Sequence, residues 1–193
     1  HQHFPAPIKV VQGDLGNPAA LAELCRGADV VVHIAGAISA VDRAAYFDAN
    51  VTGTKNLVQA ASEAAVKRIV YISSLAARHP ELSDYAASKA GGESALQTFP
   101  GERLILRPSA VYGQGDMATL PLLQQLMRNI AIIPGTSSQR FAMIHVADLA
   151  VVVSSAVSSN MTGICELDDT QGAHTWHEIM GIVRSDFQQP RHT

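Results

Sequence analysis

Short runs of β-branched residues alternate with alanine-rich stretches along most of this chain, and this alternation constrains the fold more than any other feature of the sequence. The runs predict strands and the alanine-rich stretches predict helices. Strands are predicted at residues 8–11, 29–34, 68–72, 103–107 and 144–146, and helices at 18–26, 44–63, 84–98, 119–129, from about 148, and at 176–183. Asn17 is predicted as the N-cap of the first helix, with Pro18 at its first position, and Gly53 as a weak point of the second. This order is typical of β-α-β units, in which helices cover both faces of a parallel sheet. The sequence therefore predicts an α/β protein with a doubly wound parallel sheet.

The composition excludes several classes of partner. Apolar residues make up 47% of the 193 residues and charged residues 16%, which is typical of a well-packed α/β protein. A net charge of −3 without a basic cluster predicts no nucleic-acid partner. The longest apolar run, at about residues 28–41, is interrupted by His33 and is too short to cross a bilayer. We therefore predict no membrane partner and a cytoplasmic location.

Tyr85 and Lys89 are the first candidates for catalysis. Residues four positions apart on a helix lie on one face, about a turn from each other. An ammonium group lowers the pKa of a neighbouring phenol from its usual value of about 10, so that the phenol can exchange a proton near neutral pH. Ser73 and Ser74 lie just upstream, and a serine hydroxyl can hydrogen-bond an oxygen whose charge changes during a reaction. Both residues of the pair are common, so the significance of the spacing depends on what surrounds it.

Further candidate residues stand where predicted strands end. Asp14, Gly36 and Pro108 each follow or end such a strand, as the two serines do. In a doubly wound sheet, ligands bind beyond the carboxyl ends of the strands. The agreement among separate segments predicts a ligand site at this edge of the sheet.

Several short segments occur in a characteristic order along the chain. They are Gly13-Asp14-Leu15, His33-Ile34-Ala35-Gly36-Ala37, Asn50-Val51-Thr52-Gly53-Thr54, Ile72-Ser73-Ser74, Tyr85 to Lys89, Arg107-Pro108-Ser109-Ala110-Val111-Tyr112-Gly113, and residues 141–149. In this order, and over almost the whole chain from about residue 8 to residue 183, they resemble the extended branch of the short-chain dehydrogenase/reductase superfamily. That branch is the NAD-dependent epimerase/dehydratase family.

The resemblance implies a role for each member of the catalytic group. Tyr85 would be the general acid/base that exchanges a proton with the substrate oxygen, and Lys89 would stabilise the phenolate and hydrogen-bond the nicotinamide ribose. Ser74 would orient the substrate carbonyl. Asn50 would support the proton relay, although an amide at this position equally fits a role in helix packing. Ser73 fits either a cap at the strand end or a contact with the cofactor.

The resemblance also implies a Rossmann-like fold that binds NAD or NADP. Asp14 would contact the adenine amine, and the segment from Ala35 to Ala37 would pass under the cofactor. The residues with implied cofactor contacts are Asp14, Leu15, Ala35, Gly36, Ala37, Ile72, Ser73, Tyr85, Lys89, Pro108 and Val111. The histidines show no spacing typical of metal ligands, so no metal site is predicted.

The implied reaction is hydride transfer between a nicotinamide and a carbon that bears oxygen. Residues 75–84, between Ser74 and Tyr85, form a short segment without the Tyr-Gly turn that sugar-nucleotide epimerases usually carry there. This favours an oxidoreductase acting on a carbonyl compound or a secondary alcohol. A nucleotide-sugar epimerase and a non-catalytic dinucleotide-binding or assembly subunit stay open as alternatives. Relatives pair the helices that correspond to 44–63 and 84–98 across a two-fold axis, which implies a homodimer.

The sequence departs from the family at its N-terminus, where no strand with a glycine-rich fingerprint precedes Ile8. We therefore expect a partial Rossmann-like domain at residues 1–150, followed by part of a small C-terminal substrate lobe at 151–193. The segment 113–118 fits the dinucleotide pattern G-x-G-x-x-A. It lies after the catalytic pair, whereas a fingerprint opens the first β-α-β unit, so we predict a turn there. The chain is expected to be either part of a longer enzyme, which we favour, or a degenerate fragment.

A binding measurement tests this expectation. The amides and the helix N-terminus that hold a pyrophosphate belong to the fingerprint unit. The 193-residue chain by itself is therefore expected to bind nicotinamide cofactors weakly or not at all. Calorimetric titration with NADH and NADPH measures this, and micromolar affinity would contradict it.

Overall fold

A computed structural model describes residues 8–116, 119–126, 136, 138–169 and 172–181. Its helices are α1 Pro18–Cys25, α2 Arg43–Phe47, α3 Gly53–Glu63, α4 Asp84–Leu96, α5 Leu120–Leu126, α6 Val146–Ser158 and α7 176–181. Its strands are β1 Val30–His33, β2 Arg68–Ile72, β3 Glu102–Pro108, β4 Ala110–Tyr112, β5 Arg140–Phe141, β6 Met143–His145, β7 Gly163–Leu167 and β8 His174–Thr175. Two compact units result: His1–Arg107 with Ala156–Cys165, and Pro108–Ser155 with Glu166–Thr193. The boundary predicted at residue 150 stays a prediction.

A four-stranded sheet with the order β1-β2-β3-β7 forms the centre of the first unit. β1 pairs with β2, and β2 with β3, in parallel. Every side chain of β2 is buried, as expected for the middle of a sheet covered on both faces. The predicted α/β class is therefore confirmed. Because His33 is in register with Tyr71, the loops after β1 and β2 leave the sheet side by side.

The strand predicted at residues 8–11 does not form, and this prediction is wrong. A strand needs a hydrogen-bonding neighbour. Among the described residues, β1 has β2 as its only strand partner and is the edge of its sheet. The side chains of Ile8 and Val10 are 53% and 79% exposed. The described part of the chain provides no strand partner for these residues.

The helix predicted at residues 44–63 is present but interrupted. A π-helical turn, Asp48–Thr52, separates α2 from α3. Such single turns occur frequently at functional sites. α3 then begins at Gly53, where a Cβ atom would lie 2.7 Å from Leu15 Cδ1. The glycine predicted as a weak point of the helix therefore permits close contact with the turn that contains Leu15.

The core of the first unit lies between the sheet and helices α1, α3 and α4. Its buried side chains include Leu21, Cys25, Leu57, Val58, Ala61, Ile69, Tyr71, Leu96, Phe99 and Ile105. The predicted N-cap Asn17 accepts a hydrogen bond from the Ala20 amide, and Pro18 occupies the first position of α1, as the sequence indicated.

The second unit has a separate small core that contains Leu126, Met143, Trp176 and Ile179. β4 and β6 are parallel, and β5 and β8 are antiparallel. Gly113 and Gly115 have φ angles of +131° and +88°, and the Asp116 amide donates to the Gly113 carbonyl, so the predicted turn is confirmed over the described residues. Residues 117–118 of that motif, 127–129 of one predicted helix and 182–183 of another lie outside the described residues.

Gly92 in α4 provides a test of this packing. A Cβ atom at Gly92 would lie 2.3 Å from the Tyr71 hydroxyl and 2.7 Å from the Asn50 carbonyl oxygen. We expect Gly92→Ala to lower the free energy of unfolding by about 1–3 kcal/mol, because both neighbours are buried and must shift. Urea denaturation measures the change. At the helical Gly181 a Cβ meets nothing within 4 Å, so the control Gly181→Ala should cost no stability. Equal losses in the two variants would contradict the packing argument.

Candidate active site

Helix α4 positions the predicted catalytic pair. The helix begins after Ser83, whose side chain accepts a hydrogen bond from the Ala86 amide. One turn separates Tyr85 from Lys89 along α4, but the two side chains differ in exposure. Tyr85 is half-buried and Lys89 is only 5% exposed. The Tyr85 side chain is therefore partly accessible to a ligand, whereas the Lys89 side chain is enclosed by the protein.

The ammonium group of Lys89 lies against the end of β2. Its Nζ donates to the Ile72 carbonyl at 2.8 Å and lies 4.8 Å from the centre of the Tyr71 ring. Burial lowers the pKa of Lys89 to about 8, and the Glu93 carboxylate acts in the opposite direction. At neutral pH the lysine is therefore still mostly protonated, as a group that stabilises a phenolate must be.

The two serines at the end of β2 have different partners. The Ser73 hydroxyl donates to Glu93 Oε1, and Arg107 binds the same carboxylate through Nε (2.9 Å) and a terminal nitrogen (2.7 Å). Ser73 is therefore part of a buried polar network. Ser74 is half-buried and accepts a hydrogen bond from the Ala76 amide at 3.2 Å. Among the described residues nothing accepts the hydroxyl hydrogen of Ser74, which leaves it available to a ligand.

Asn50 joins two parts of the site. Its Oδ1 accepts from the Ala37 amide at 2.8 Å, and its Nδ2 donates to the Ala37 carbonyl at 3.0 Å and to Ser88 Oγ at 2.8 Å. The residue is 1% exposed. These bonds support the packing interpretation of this amide, because they hold the loop after β1 against α4. A part in the proton relay stays a prediction.

A cavity of about 720 Å³ opens between the loop after β1, the turn before α1 and the π-helical turn. It is lined by the predicted cofactor residues Asp14, Leu15, Ala35, Gly36 and Ala37. Its volume lies within the range of small-molecule sites. A Cβ atom at Gly36 would lie 2.7 Å from Asn50 Oδ1, so the loop needs a glycine to pass this close to the amide. The small side chains of this lining, and the close approach of the loop backbone to Asn50, leave a smooth surface that fits a flat ligand group such as a nucleotide base.

Sequence reasoning did not identify three polar residues of this cavity, Asp48, Thr52 and Asn56. They are four residues apart along the central helical segment, which places them on one side of it. This spacing could have identified them once the cavity was known to face that segment. Asn56 also donates to the Leu15 carbonyl at 2.8 Å, which anchors the turn that lines the cavity.

The remaining predicted residues are placed as follows. Ile72 ends β2 and supplies the carbonyl that binds Lys89. Pro108 and Val111 belong to the second unit, at the end of β3 and within β4, and their cofactor contacts stay predictions. In the described part of the chain, no group of three or more histidine, cysteine, aspartate or glutamate side chains could hold a metal ion. The helices of that part are also too short or too polar to cross a membrane.

The pKa of Lys89 predicts a pH dependence of stability. Between about pH 8 and the usual lysine pKa of 10.5, the folded protein releases this proton while the unfolded chain retains it. The unfolded state then binds more protons, so the free energy of unfolding should rise with pH relative to a Lys89→Met control. Urea denaturation from about pH 7.5 to 9.5 measures this difference. Parallel pH profiles for the two proteins would show that Lys89 titrates normally.

Comparison with known proteins identifies relatives of this chain. A model of the NAD-dependent epimerase/dehydratase family matches residues 1–164. The ceramide reductase of Caulobacter vibrioides is 42% identical over 174 residues, which cover 90% of this chain and 55% of that protein. The 2-alkyl-3-oxoalkanoate reductase of Stenotrophomonas maltophilia is 31% identical, over 65% of this chain and 46% of that protein. The chain thus spans about half the length of these two relatives.

Solved structures share the fold. The Bordetella bronchiseptica enzyme WbmH in complex with NAD⁺ has a TM-score of 0.79 at 24% identity, and the match covers 94% of this chain and 67% of that one. The dTDP-4-dehydrorhamnose reductase from Bacillus anthracis in complex with NADP has a TM-score of 0.76 at 21% identity, covering 91% and 69%. The Rossmann-like α/β fold is therefore confirmed. Because the family model matches residues 1–164 of the 193 residues, this chain belongs to the NAD-dependent epimerase/dehydratase family.

Proposed function

We propose that this chain carries the catalytic group of an NAD(P)-dependent oxidoreductase that interconverts a carbonyl group and a secondary alcohol. One observation supports this most directly. A half-buried tyrosine, Tyr85, lies one helical turn from a buried lysine, Lys89, whose ammonium donates to the last carbonyl of β2 at the carboxyl edge of a parallel sheet. Reductases and dehydrogenases among the sequence relatives support the same reaction class.

The cavity beside the loop after β1 is proposed to hold the adenosine side of NAD or NADP. Asp14, Leu15 and the segment from Ala35 to Ala37 line it. Ser73, which follows β2, and Lys89, on α4, are proposed to contact the nicotinamide side. When bound, the nicotinamide supplies or accepts the hydride. The protein contributes position, exclusion of water and the handling of the proton.

Tyr85 is proposed to handle that proton. In the reductive direction its hydroxyl donates to the substrate oxygen, and in the oxidative direction its phenolate takes the proton back. The Lys89 ammonium stabilises the phenolate through its positive charge. Ser74 donates its available hydroxyl hydrogen to the same substrate oxygen and orients it. Asn50 holds the parts of this arrangement together through Ala37 and Ser88.

Exposed apolar side chains at the starts of α2 and α4, the helix that carries Tyr85, support a substrate with a hydrocarbon portion. Val41 and Leu82 each precede the capping residue of a helix, α2 and α4, and such residues commonly pack on their own helix. Here they are 95% and 75% exposed. An ion pair of 2.5 Å between Arg43 and Asp84 joins the two helix starts. The named relatives include a ceramide reductase and a 3β-hydroxysteroid dehydrogenase/decarboxylase, so we propose a lipid-like ketone or alcohol.

The assay described below also distinguishes the two alternative functions, a nucleotide-sugar epimerase and a subunit without activity. A nucleotide-sugar epimerase would act on UDP-sugars and not on simple ketones. A subunit without activity would turn over neither. One relative is a subunit of a larger enzyme by name, the 40 kDa subunit of NADH-ubiquinone oxidoreductase from Neurospora crassa, which is 25% identical to this chain. The homodimer through the segments 44–63 and 84–98 also stays a proposal.

Replacing Tyr85 tests the assignment. In the protein that carries this chain, Tyr85→Phe should lower kcat for ketone reduction by about 10²–10⁴-fold, because the proton donor is removed. Oxidation of NADH and NADPH is followed with long-chain and short-chain ketones. Conversion of UDP-sugars to their epimers is followed by separating the products, because epimerisation consumes no NADH or NADPH overall. Tyr46→Phe is the matched control, since its ring lies 6.1 Å from that of Tyr85, and it should stay close to wild type. Unchanged turnover in Tyr85→Phe would refute the acid/base role.

A further inference from the structure

We propose that Tyr71 is a positioning residue for the catalytic lysine, and that the face of its ring holds the Lys89 ammonium at the end of β2. The Lys89 Nζ atom lies 4.8 Å from the ring centre, within the distance at which a cation interacts with an aromatic face. Tyr71 is 1% exposed, so the interaction takes place away from water. Cation–π attraction is strongest under such conditions.

The surroundings of the ammonium show why the ring is needed. A buried ammonium requires polar or charged neighbours. Among the described residues, the Ile72 carbonyl is the hydrogen-bond acceptor of Nζ, at 2.8 Å. Glu93, one turn further along α4, is attractive, but its carboxylate is shared with Arg107 and Ser73. The ring of Tyr71 supplies negative electrostatic potential on another side of the ammonium.

The titratable neighbours from the adjacent elements do not compete with the ring. Burial and the charge of Lys89 lower the pKa of His33, on β1, to about 4, so this imidazole stays neutral. Burial raises the pKa of Tyr71 to about 12, so its ring stays a neutral aromatic face. Tyr85 and Glu93 lie on α4 itself, one turn to either side of Lys89. Lys89 is therefore the only positive charge among these groups.

The ring of Tyr71 is held in place by contacts on more than one side. The Thr54 side chain lies close enough to the Tyr71 hydroxyl to act on its pKa, in the direction opposite to burial. Thr54 Oγ1 in turn donates to the Asn50 carbonyl at 2.7 Å and is bonded to His33 Nε2 at 3.0 Å. The His33 ring lies 5.1 Å from the Tyr71 ring at a tilt of 33°. On the α4 side, only a glycine fits against the tyrosine hydroxyl, as the short Cβ distance at Gly92 shows.

This inference deepens the proposed function, because a displaced or neutral Lys89 would stabilise the Tyr85 phenolate less well. It makes a separate claim, however, about the ionisation of Lys89 in the free protein. That claim can be measured without substrate or cofactor, so the two proposals can fail independently.

The experiment titrates Lys89 by NMR in protein labelled with ¹³C at the ε-carbon of lysine, with Lys89→Met to assign its signal. Tyr71→Phe keeps the ring face and should leave the pKa of Lys89 within a few tenths of a unit. Tyr71→Leu removes the face and should lower that pKa by about one unit. Equal pKa values in Tyr71→Leu and Tyr71→Phe would overturn the proposal.

A second series covers the case in which Tyr71→Leu does not fold. Phenylalanine analogues with increasing numbers of ring fluorines at position 71 keep the shape of the ring and progressively weaken its negative face. The pKa of Lys89 should fall stepwise along the series. A merely structural role of Tyr71 would change the free energy of unfolding but leave the Lys89 pKa constant across the fluorinated rings, and that result would also overturn the proposal.

Discussion

Burial of the Lys89 ammonium is the constraint on which the arrangement of this site depends. A cation removed from water must be stabilised by polar or charged groups, and the neighbours of Lys89 provide this stabilisation in different ways. The Ile72 carbonyl accepts its hydrogen bond, the Tyr71 ring faces it, and Glu93 attracts it from one turn away. The end of β2 and the packing of α4 therefore determine together how strongly Lys89, one turn from Tyr85, holds its proton.

The Asn50 side chain connects the lining of the cavity with helix α4. One amide binds the backbone of Ala37, which lines the cavity, and the hydroxyl of Ser88, which is adjacent to Lys89. The π-helical turn presents this amide, and the Thr54 hydroxyl binds the carbonyl of the same residue. The lining of the cavity and helix α4 are thus positioned by shared contacts.

Local signals explain how much of the fold and site the sequence predicted. β2 was predicted at 68–72 because a run of β-branched residues is bounded by clear breaks, and α1 because Asn17 and Pro18 mark its start. The predicted strand at 8–11 failed, because a strand depends on a partner that its own residues do not specify. The π-helical turn was missed since one extra residue in a turn leaves the hydrophobic pattern almost unchanged. Asp48, Thr52 and Asn56 were missed because only the folded chain shows which side of the segment borders the cavity.

The sequence by itself determined the spacing of Tyr85 and Lys89 on one helical face, the serines at the end of β2 and the family to which the chain belongs. These are properties of residue order and helix geometry, so they can be predicted without knowledge of distant contacts. The tertiary structure decided that Lys89 is buried while Tyr85 stays partly accessible, and that Tyr71 faces the ammonium. It also decided that Ser73 bonds to Glu93, whereas nothing in the described part of the chain accepts the hydroxyl hydrogen of Ser74. Burial and electrostatic surroundings arise only when separate segments pack together, which is why the ionisation of this site is a property of the fold.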